Sequence, residues 1–194
     1  LPGRGPQAKP IEMDIRGFVP STPSVVVTTW IRQHVARQLK HFPWLRKALS
    51  DTDRSGHFDT LAHLVADVVF DQIRYDGRSG GAWQLPEETL ALAEGDCEDR
   101  ATLLASALVA AGISPYNVRV ALGRVAVSNP RDEPVHLAHA WVVYRAEDGS
   151  WVPLEPVSAS AASKHADSKF EYLPEYVFNG AHQWTVRART KPKM

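Results

Sequence analysis

The sequence predicts an α+β domain in which helices come first and an antiparallel sheet follows. In the first half, apolar residues recur at helical spacing, most clearly at Leu61, Val65 and Val68. After Pro115 the apolar residues alternate with a period of two, which is typical of strands. The 194 residues are 44% hydrophobic and 23% charged, so the chain is long enough and apolar enough to form one buried core.

Each element is predicted from its own local signals. Helices are expected over 24–49 with a break near Pro43, over 58–75, from Pro86 in a short segment, and over 97–111 with a stop at Gly112. The last helix is expected to bury Ala101, Leu104, Ala105 and Leu108. Strands are expected over 118–122, 137–144 and 151–154, with weaker candidates over 170–178 and 183–187. Residues 51–56 and 77–81 are predicted to be turns or loops, and 147–149 a three-residue hairpin loop with Gly149 in the left-handed region.

The expected organisation is one domain with two flanking segments. Residues 1–24 contain five prolines and are predicted to form an extended or partly disordered arm. Residues 25–188 are predicted to form the single domain, and 189–194 a basic tail. Because the chain begins with Leu1 rather than Met, we expect that a preceding segment, a signal peptide among the possibilities, has been removed.

Charge and motifs exclude several classes of protein. The 22 basic and 22 acidic residues balance, which argues against a nucleic-acid-binding protein. No run approaches 18 apolar residues, so no membrane span is predicted. The sequence contains neither a glycine-rich phosphate-binding motif nor the G-x-S-x-G motif of serine hydrolases.

Cys97 is the only cysteine, and it stands where a helix is predicted to begin. Asp96 is the expected N-cap residue, so the helix dipole and the N–H groups of the first turn favour the thiolate. The Cys97 N–H is also placed to donate to an oxyanion on an attacked acyl group. A cysteine that only fills the core is the alternative interpretation of this pattern.

Two histidines of the predicted sheet are candidate bases for Cys97. His136 and His139 are three residues apart, so they lie on opposite faces of a strand. Antiparallel pairing across the loop 147–149 places Glu155 opposite Trp141 and diagonal to His139, within reach of its imidazole. Glu155 would then orient His139 as the acid of a triad does, provided that the loop has this length. His139 as a core histidine and a zinc site of Cys97 with both histidines are alternatives, although no close Cys/His pair has zinc-ligand spacing.

The sequence around Cys97 is strongly acidic. Six acidic residues precede Arg100 with no basic residue among them: Glu87, Glu88, Glu94, Asp96, Glu98 and Asp99. Negative charges oppose ionisation of a thiol. The helix dipole and a charged His139, or a bound cation, must therefore outweigh them if Cys97 is to ionise.

Four segments together resemble the transglutaminase-like cysteine protease superfamily: W-Q-L-P-E-E from Trp83, G-D-C-E-D around Cys97, H-A-W from His139, and W-V-P-L-E-P from Trp151. The first two are closest to the bacterial transglutaminase-like cysteine proteinases, in which W-x-x-P-x-E precedes G-D-C-E-D. The resemblance covers roughly residues 58–157. It implies a papain/transglutaminase-like core with Cys97 as nucleophile, His139 as base and Glu155 as acid, although the family usually has Asp at this last position.

The resemblance also implies a function. The expected activity is hydrolysis of an amide or peptide bond through a thioester acyl-enzyme, acting on a protein or peptide substrate. An acyltransferase that forms amide or isopeptide bonds and a non-catalytic binding module of the same fold remain alternatives. The family favours a periplasmic or extracytoplasmic location, and the oligomeric state is not predicted.

Further site residues follow with less support. No cofactor is required for the expected chemistry, but some bacterial relatives bind Ca²⁺ beside the catalytic cysteine, which makes Asp96 and Glu98 candidate calcium ligands. Local physics alone explains both as residues that complement the helix N-terminus. Gln84 and the indole of Trp83 are candidates for a second oxyanion donor, and packing is the favoured role of Trp83.

Overall fold

Helices from the first half of the chain pack on one face of a five-stranded antiparallel sheet formed by the second half. The structure, a computed structural model, describes residues 14–20, 22–41, 58–77, 82–129, 132–155 and 169–186. Its helices are α1 (Val25–Gln38), α2 (Phe58–Gln72), α3 (Pro86–Leu92) and α4 (Cys97–Ala110), with 3-10 turns at Arg16–Phe18 and Pro115–Asn117. The strands are β1 (Arg74–Tyr75), β2 (Glu94–Gly95), β3 (Val118–Asn129), β4 (Asp132–Arg145), β5 (Trp151–Leu154), β6 (Lys169–Phe178) and β7 (Gln183–Thr185). The large sheet has the order β5-β4-β3-β6-β7, and β1 pairs with β2 in parallel. The predicted α+β class is confirmed.

Two helices are shorter than predicted. Helix α1 ends at Gln38 rather than continuing toward residue 49, because the N–H groups of Lys40 and His41 bond to carbonyls three residues back and form a turn. Ser24 caps α1 by accepting a hydrogen bond from the Val27 N–H. The predicted continuation of this helix past residue 41, its break at Pro43, the turn at 51–56 and residues 78–81 of the predicted loop lie outside the described residues. Helix α2 ends at Gln72 instead of residue 75, because Arg74 and Tyr75 pair with β2.

Helix α4 is the centre of the core. Its predicted stripe of Ala101, Leu104, Ala105 and Leu108 is buried, and so are Leu103 and Ala107 on its other side. The helix therefore lies between the sheet and the other helices rather than on the surface. Gly112, with a φ of 103°, follows its C-terminus in the left-handed region that favours glycine.

The sheet carries apolar residues on both faces. Val118, Val120, Ala140, Val142 and Tyr144 face the helices, and a smaller cluster on the opposite face contains Ala121, Val125, Trp141 and Val177. Strands β3 and β4 are longer than predicted because they pair with each other nearly to the end of their hairpin, past the point where apolar alternation stops.

The hairpin between β4 and β5 has the predicted loop and register. Ala146 and Ser150 are joined by a backbone hydrogen bond of 2.8 Å, and Gly149 has a φ of 83°. Val142 pairs with Leu154, so the chain reaches Glu155 at the position next to Trp141. On the other side of the hairpin, the Asp59 carboxylate accepts a hydrogen bond of 2.7 Å from the Tyr144 hydroxyl, which ties α2 to β4.

Gly123 lies at a bulge in the middle of the sheet. It pairs with His139 of β4 on one side. On the other side Leu122 pairs with Tyr176 but Gly123 with Pro174, so Glu175 is an extra residue of β6. A Cβ atom on Gly123 would lie 2.2 Å from the Leu173 carbonyl oxygen, so only glycine fits here.

The division of the chain into arm, domain and tail stays a prediction, since much of the flanking segments lies outside the described residues. Within the predicted arm, Ile15 and Val19 are buried against the core. None of the helices in the described ranges has the length and apolar character needed to cross a bilayer.

Candidate active site

A tight turn before α4 places Cys97 at the first position of that helix. The Asp96 carboxylate accepts hydrogen bonds from the N–H groups of Glu98 (3.1 Å) and Asp99 (3.3 Å). The Asp99 carboxylate in turn accepts from the Asp96 N–H at 3.2 Å, which completes a reciprocal cap. A Cβ atom on Gly95 would lie 2.6 Å from the Asp99 Cβ, so the turn requires glycine before Asp96. The predicted N-cap is confirmed.

The Cys97 thiol is held in the neutral form. Its Sγ donates to the Glu98 Oε2 at 2.8 Å. Burial raises the pKa of the thiol to about 12, with further contributions from the hydrogen bond and charge of Glu98 and from the charge of Asp96. A hydrogen bond from the Ala140 backbone N–H acts in the opposite direction. The sequence indicates two opposing influences on the thiol pKa, namely the acidic neighbours and the helix dipole. In the structure the acidic neighbours act together with burial, and the two outweigh the dipole.

We expect that Cys97 alkylates slowly near neutral pH and that Glu98→Gln accelerates it. The thiolate is the reactive form, so the rate in the wild type should rise roughly tenfold per pH unit between pH 7 and 10. Glu98→Gln removes the negative charge that raises the thiol pKa, so its profile should shift to lower pH while burial keeps it above the ordinary value. Rates of iodoacetamide labelling, read by mass spectrometry, measure this shift. Glu87→Gln removes an acidic residue that does not contribute to the thiol pKa and should leave the profile unchanged; equal profiles for wild type and Glu98→Gln would contradict the prediction.

His139 and Glu155 are brought together as the hairpin register predicts. The His139 Nε2 and the Glu155 Oε1 form a hydrogen bond. The His139 ring stacks on Trp141 with 6.1 Å between ring centroids. Glu155 also affects Tyr172 of β6, because burial and then the charge and hydrogen bonding of Glu155 raise the pKa of the Tyr172 hydroxyl. The imidazole is therefore fixed both by a carboxylate and by an aromatic ring.

One pocket brings the nucleophile candidate and this pair together. It is lined by Cys97, His139 and Glu155 with Tyr75, Arg100, Ala101, Leu104, Ala140, Trp141, Val142 and Leu154. His139 shares a face of β4 with Trp141, whereas Ala140 and Val142 face the helices. Strand β5 pairs with β4 only from Val142 to Arg145, so it does not extend alongside His139 and Trp141. Side chains from both faces of β4 therefore reach the pocket at this open edge. His136 is exposed and is not among the described residues that line the pocket.

Gln84 and Trp83 lie close to the start of α4 but do not line this pocket in the described part of the chain. The Gln84 N–H donates to the Asp99 carboxylate at 2.8 Å, and its side-chain Oε1 is buried with no hydrogen-bond partner among the described residues. The Trp83 ring packs edge-on against Phe18 at 5.1 Å and near Phe178 at 6.1 Å. These are the contacts of a packing residue, and an oxyanion role for either side chain stays a prediction.

The carboxylates of Asp96 and Glu98, the candidate calcium ligands, are both engaged within the protein. Asp96 caps the helix and Glu98 accepts the thiol hydrogen bond. Ca²⁺ takes six to eight oxygen ligands. Within the described ranges, no group of three or more His, Cys, Asp or Glu side chains is placed to hold a metal ion. Calcium binding therefore stays a prediction, and no reaction step is assigned to a metal.

Arg100, Tyr75 and Tyr172 are site residues that the sequence did not reveal. Arg100 and Ala101 follow Cys97 at helical spacing, which was a usable signal that they share its face. Tyr75 arrives through the short β1–β2 pair and Tyr172 through the distant strand β6, and neither carries a local signal.

Comparison with known proteins finds a matching family model and solved structures of a similar fold. A family model described as the transglutaminase-like superfamily matches residues 46–156. The EGTA-treated structure of Legionella pneumophila LapG is similar, with 20% identity, a TM-score of 0.50, and coverage of 88% of this chain and 90% of LapG. Calcium-bound LapG gives 21% identity, a TM-score of 0.45 and coverage of 85% and 88%. A candidate cysteine protease from Cytophaga hutchinsonii gives 16% identity, a TM-score of 0.38 and coverage of 94% and 60%. No curated protein matches the chain.

Proposed function

The chain belongs to the transglutaminase-like superfamily, and from this premise we propose that it is a cysteine hydrolase that cleaves an amide or peptide bond. Cys97 is the nucleophile, His139 the base and Glu155 the acid that orients the base. The observation that carries the proposal is the hydrogen bond between His139 Nε2 and Glu155 Oε1 in the pocket that Cys97 also lines. A nucleophile–base–acid triad needs such a carboxylate–imidazole pair beside its nucleophile, which supports the proposal.

The hydrogen bond to Glu155 determines which nitrogen of His139 is available. Because Nε2 is engaged by the carboxylate, Nδ1 remains to accept the proton of the Cys97 thiol. Sγ then attacks the carbonyl carbon of the amide, and the protonated imidazole gives its proton to the leaving amine, which leaves a thioester. Water attacks the thioester with His139 again as base, the acid product leaves, and the proton returns to the thiol.

The raised thiol pKa makes this base necessary. A thiol whose pKa is about 12 supplies little thiolate at neutral pH, so proton transfer must accompany the attack. The start of α4 supports the charge that develops on the substrate oxygen. The Asp96 side chain accepts hydrogen bonds from the N–H groups of Glu98 and Asp99, and the Cys97 N–H is not one of its donors. We assign this N–H to the oxyanion.

The substrate is expected to be a protein or peptide, since the triad chemistry acts on amide carbonyls. The predicted periplasmic or extracytoplasmic location belongs to this proposal too, as does the absence of a required cofactor. The same thioester also reacts with an amine instead of water, which would make the protein an acyltransferase.

A peptide library tests the proposal without a known substrate. Peptides from a whole-cell digest are incubated with the wild type or with Cys97→Ala in the presence of an alkyl amine, and new termini are identified by mass spectrometry. We expect new carboxyl termini with the wild type and none with Cys97→Ala, once circular dichroism has shown that the variant is folded. Amine-coupled termini in place of free carboxylates would favour the acyltransferase. Cleavage that persists in Cys97→Ala, or no acylation of Cys97 by any peptide, would overturn the proposal.

A further inference from the structure

The pocket also contains a cation, Arg100, which has no part in the triad chemistry. It lies three residues after Cys97 on α4, so its Cα is about 4.5 Å further along the helix axis. Its side chain lines the pocket together with Cys97, His139 and Glu155. The guanidinium therefore stands close to the place where the substrate carbonyl must lie.

Aromatic rings pack against this guanidinium, and two of its three nitrogens lack an acceptor in the described part of the chain. Its Cζ lies 5.1 Å from the centroid of the Phe70 ring and 5.8 Å from that of Tyr75. The Nε and Nη2 atoms are buried and have no hydrogen-bond partner among the described residues. Buried charged donors without an acceptor destabilise a protein, so a ligand that supplies one gains the corresponding interaction. Tyr75 is 54% exposed, so the guanidinium lies beneath a ring at the surface of the pocket.

The charges of the pocket favour a carboxylate as that ligand. Glu155 is the acidic side chain among the described lining residues, and it is already engaged by His139. Burial lowers the pKa of the Arg100 guanidinium, and the charges of Tyr75 and Glu155 offset this only in part. The flat guanidinium, with parallel N–H groups, matches the two oxygens of a carboxylate better than it matches a neutral amide.

We propose that Arg100 is a specificity residue that binds a carboxylate of the substrate about one residue away from the bond that is cleaved. This inference rests on the proposed function and names its substrate class, namely peptides with an acidic group beside the scissile amide. The carboxylate belongs either to an Asp or Glu side chain or to a free C-terminus, and the two sources share the same contact with Arg100.

Alkylating probes test the proposal without requiring catalytic turnover. N-iodoacetylglycine and N-iodoacetylglycinamide differ only in a terminal carboxylate, and the α-amides of N-iodoacetylglutamate and N-iodoacetylglutamine differ only in a side-chain carboxylate. The rate at which each probe alkylates Cys97 is measured at one pH. Within each pair, the alkylation rate with the acid is divided by the rate with the amide. A change in thiol reactivity affects both rates equally, so this ratio reports recognition of the carboxylate. The pair with the higher ratio identifies its source.

We expect a ratio about five to ten times higher in the wild type than in Arg100→Gln for at least one pair, which is the range of one charge-assisted hydrogen bond at a partly exposed site. Arg74→Gln is the matched control, because Arg74 is a nearby exposed cation that pairs with Glu94. Equal ratios in wild type, Arg100→Gln and Arg74→Gln would overturn the proposal, as would an equal loss in both variants.

A measurement on the wild type alone covers the case in which Arg100→Gln does not fold. N-acetylglycine or the α-amide of N-acetylglutamate should protect Cys97 from iodoacetamide at concentrations at which the matching neutral amides do not. Equal protection by acid and amide would contradict the proposal. These readouts need only a reactive thiol and not turnover. Carboxylate recognition by Arg100 can therefore be refuted while peptide cleavage by Cys97 is found, and it can be found while cleavage is refuted.

Discussion

His139→Ala is expected to lower kcat/KM for cleavage of a peptide from the library by about 10² to 10⁴-fold, the range typical of a positioned general base. The reason is the neutral thiol of Cys97, which must lose its proton for attack and, in the proposed mechanism, gives it to His139 in the shared pocket. The rate is measured by chromatography of the products. His136→Ala is the matched control, because His136 lies on the same strand but is exposed and outside the pocket.

Circular dichroism distinguishes loss of the base from damage to the fold, because His139→Ala should keep the wild-type spectrum while its cleavage rate falls. Glu155→Gln keeps the shape of the side chain but not its charge, so it should give a smaller loss of rate. Full activity in His139→Ala, or equal losses in the two histidine variants, would contradict the assignment of the base.

Gly123→Ala is expected to lower the free energy of unfolding by about 1–3 kcal/mol, the usual cost of forcing atoms into a packed interior. The added Cβ would lie 2.2 Å from the Leu173 carbonyl oxygen and 2.9 Å from the Pro174 Cα, and both are backbone atoms. The strands must therefore separate or the bulge at Glu175 must shift. Urea unfolding followed by tryptophan fluorescence measures the change in midpoint and slope.

Gly17→Ala provides the control for this prediction. An added Cβ at Gly17 has no atom within 4 Å, so the same substitution should be nearly neutral there. Because Gly123 pairs with His139, the damage should extend to the position of His139. An unchanged midpoint in Gly123→Ala would mean that the β3–β6 contact is looser than the backbone distances indicate.

Those parts of the fold that depend on local chemistry were predictable from the sequence. The start of α4 is predictable from Asp96 alone, because its carboxylate accepts hydrogen bonds from N–H groups of the first turn. The approach of Glu155 to His139 follows from Gly149, because a loop of that length determines every later pair in the hairpin. Both signals act within a few residues, so no knowledge of distant contacts was needed.

The rest depends on contacts between distant segments. The extra residue Glu175 in β6 exists because two strands about fifty residues apart meet at Gly123, and nothing near either position indicates it. The same limit applies to the thiol. The sequence shows the acidic neighbours and the helix start, but burial has the largest effect on the thiol pKa, and burial depends on how β4 packs beside α4.

The hydrogen bond between Cys97 and Glu98 also bears on how long the protein survives oxidative conditions. Peroxide attacks the thiolate, and a cysteine kept neutral is a poor target for it. The resting protein should therefore resist conversion to the sulfenic and sulfinic acids better than a cysteine enzyme that stores its nucleophile as an ion pair. In the proposed mechanism the thiol becomes reactive only as His139 takes its proton during the attack.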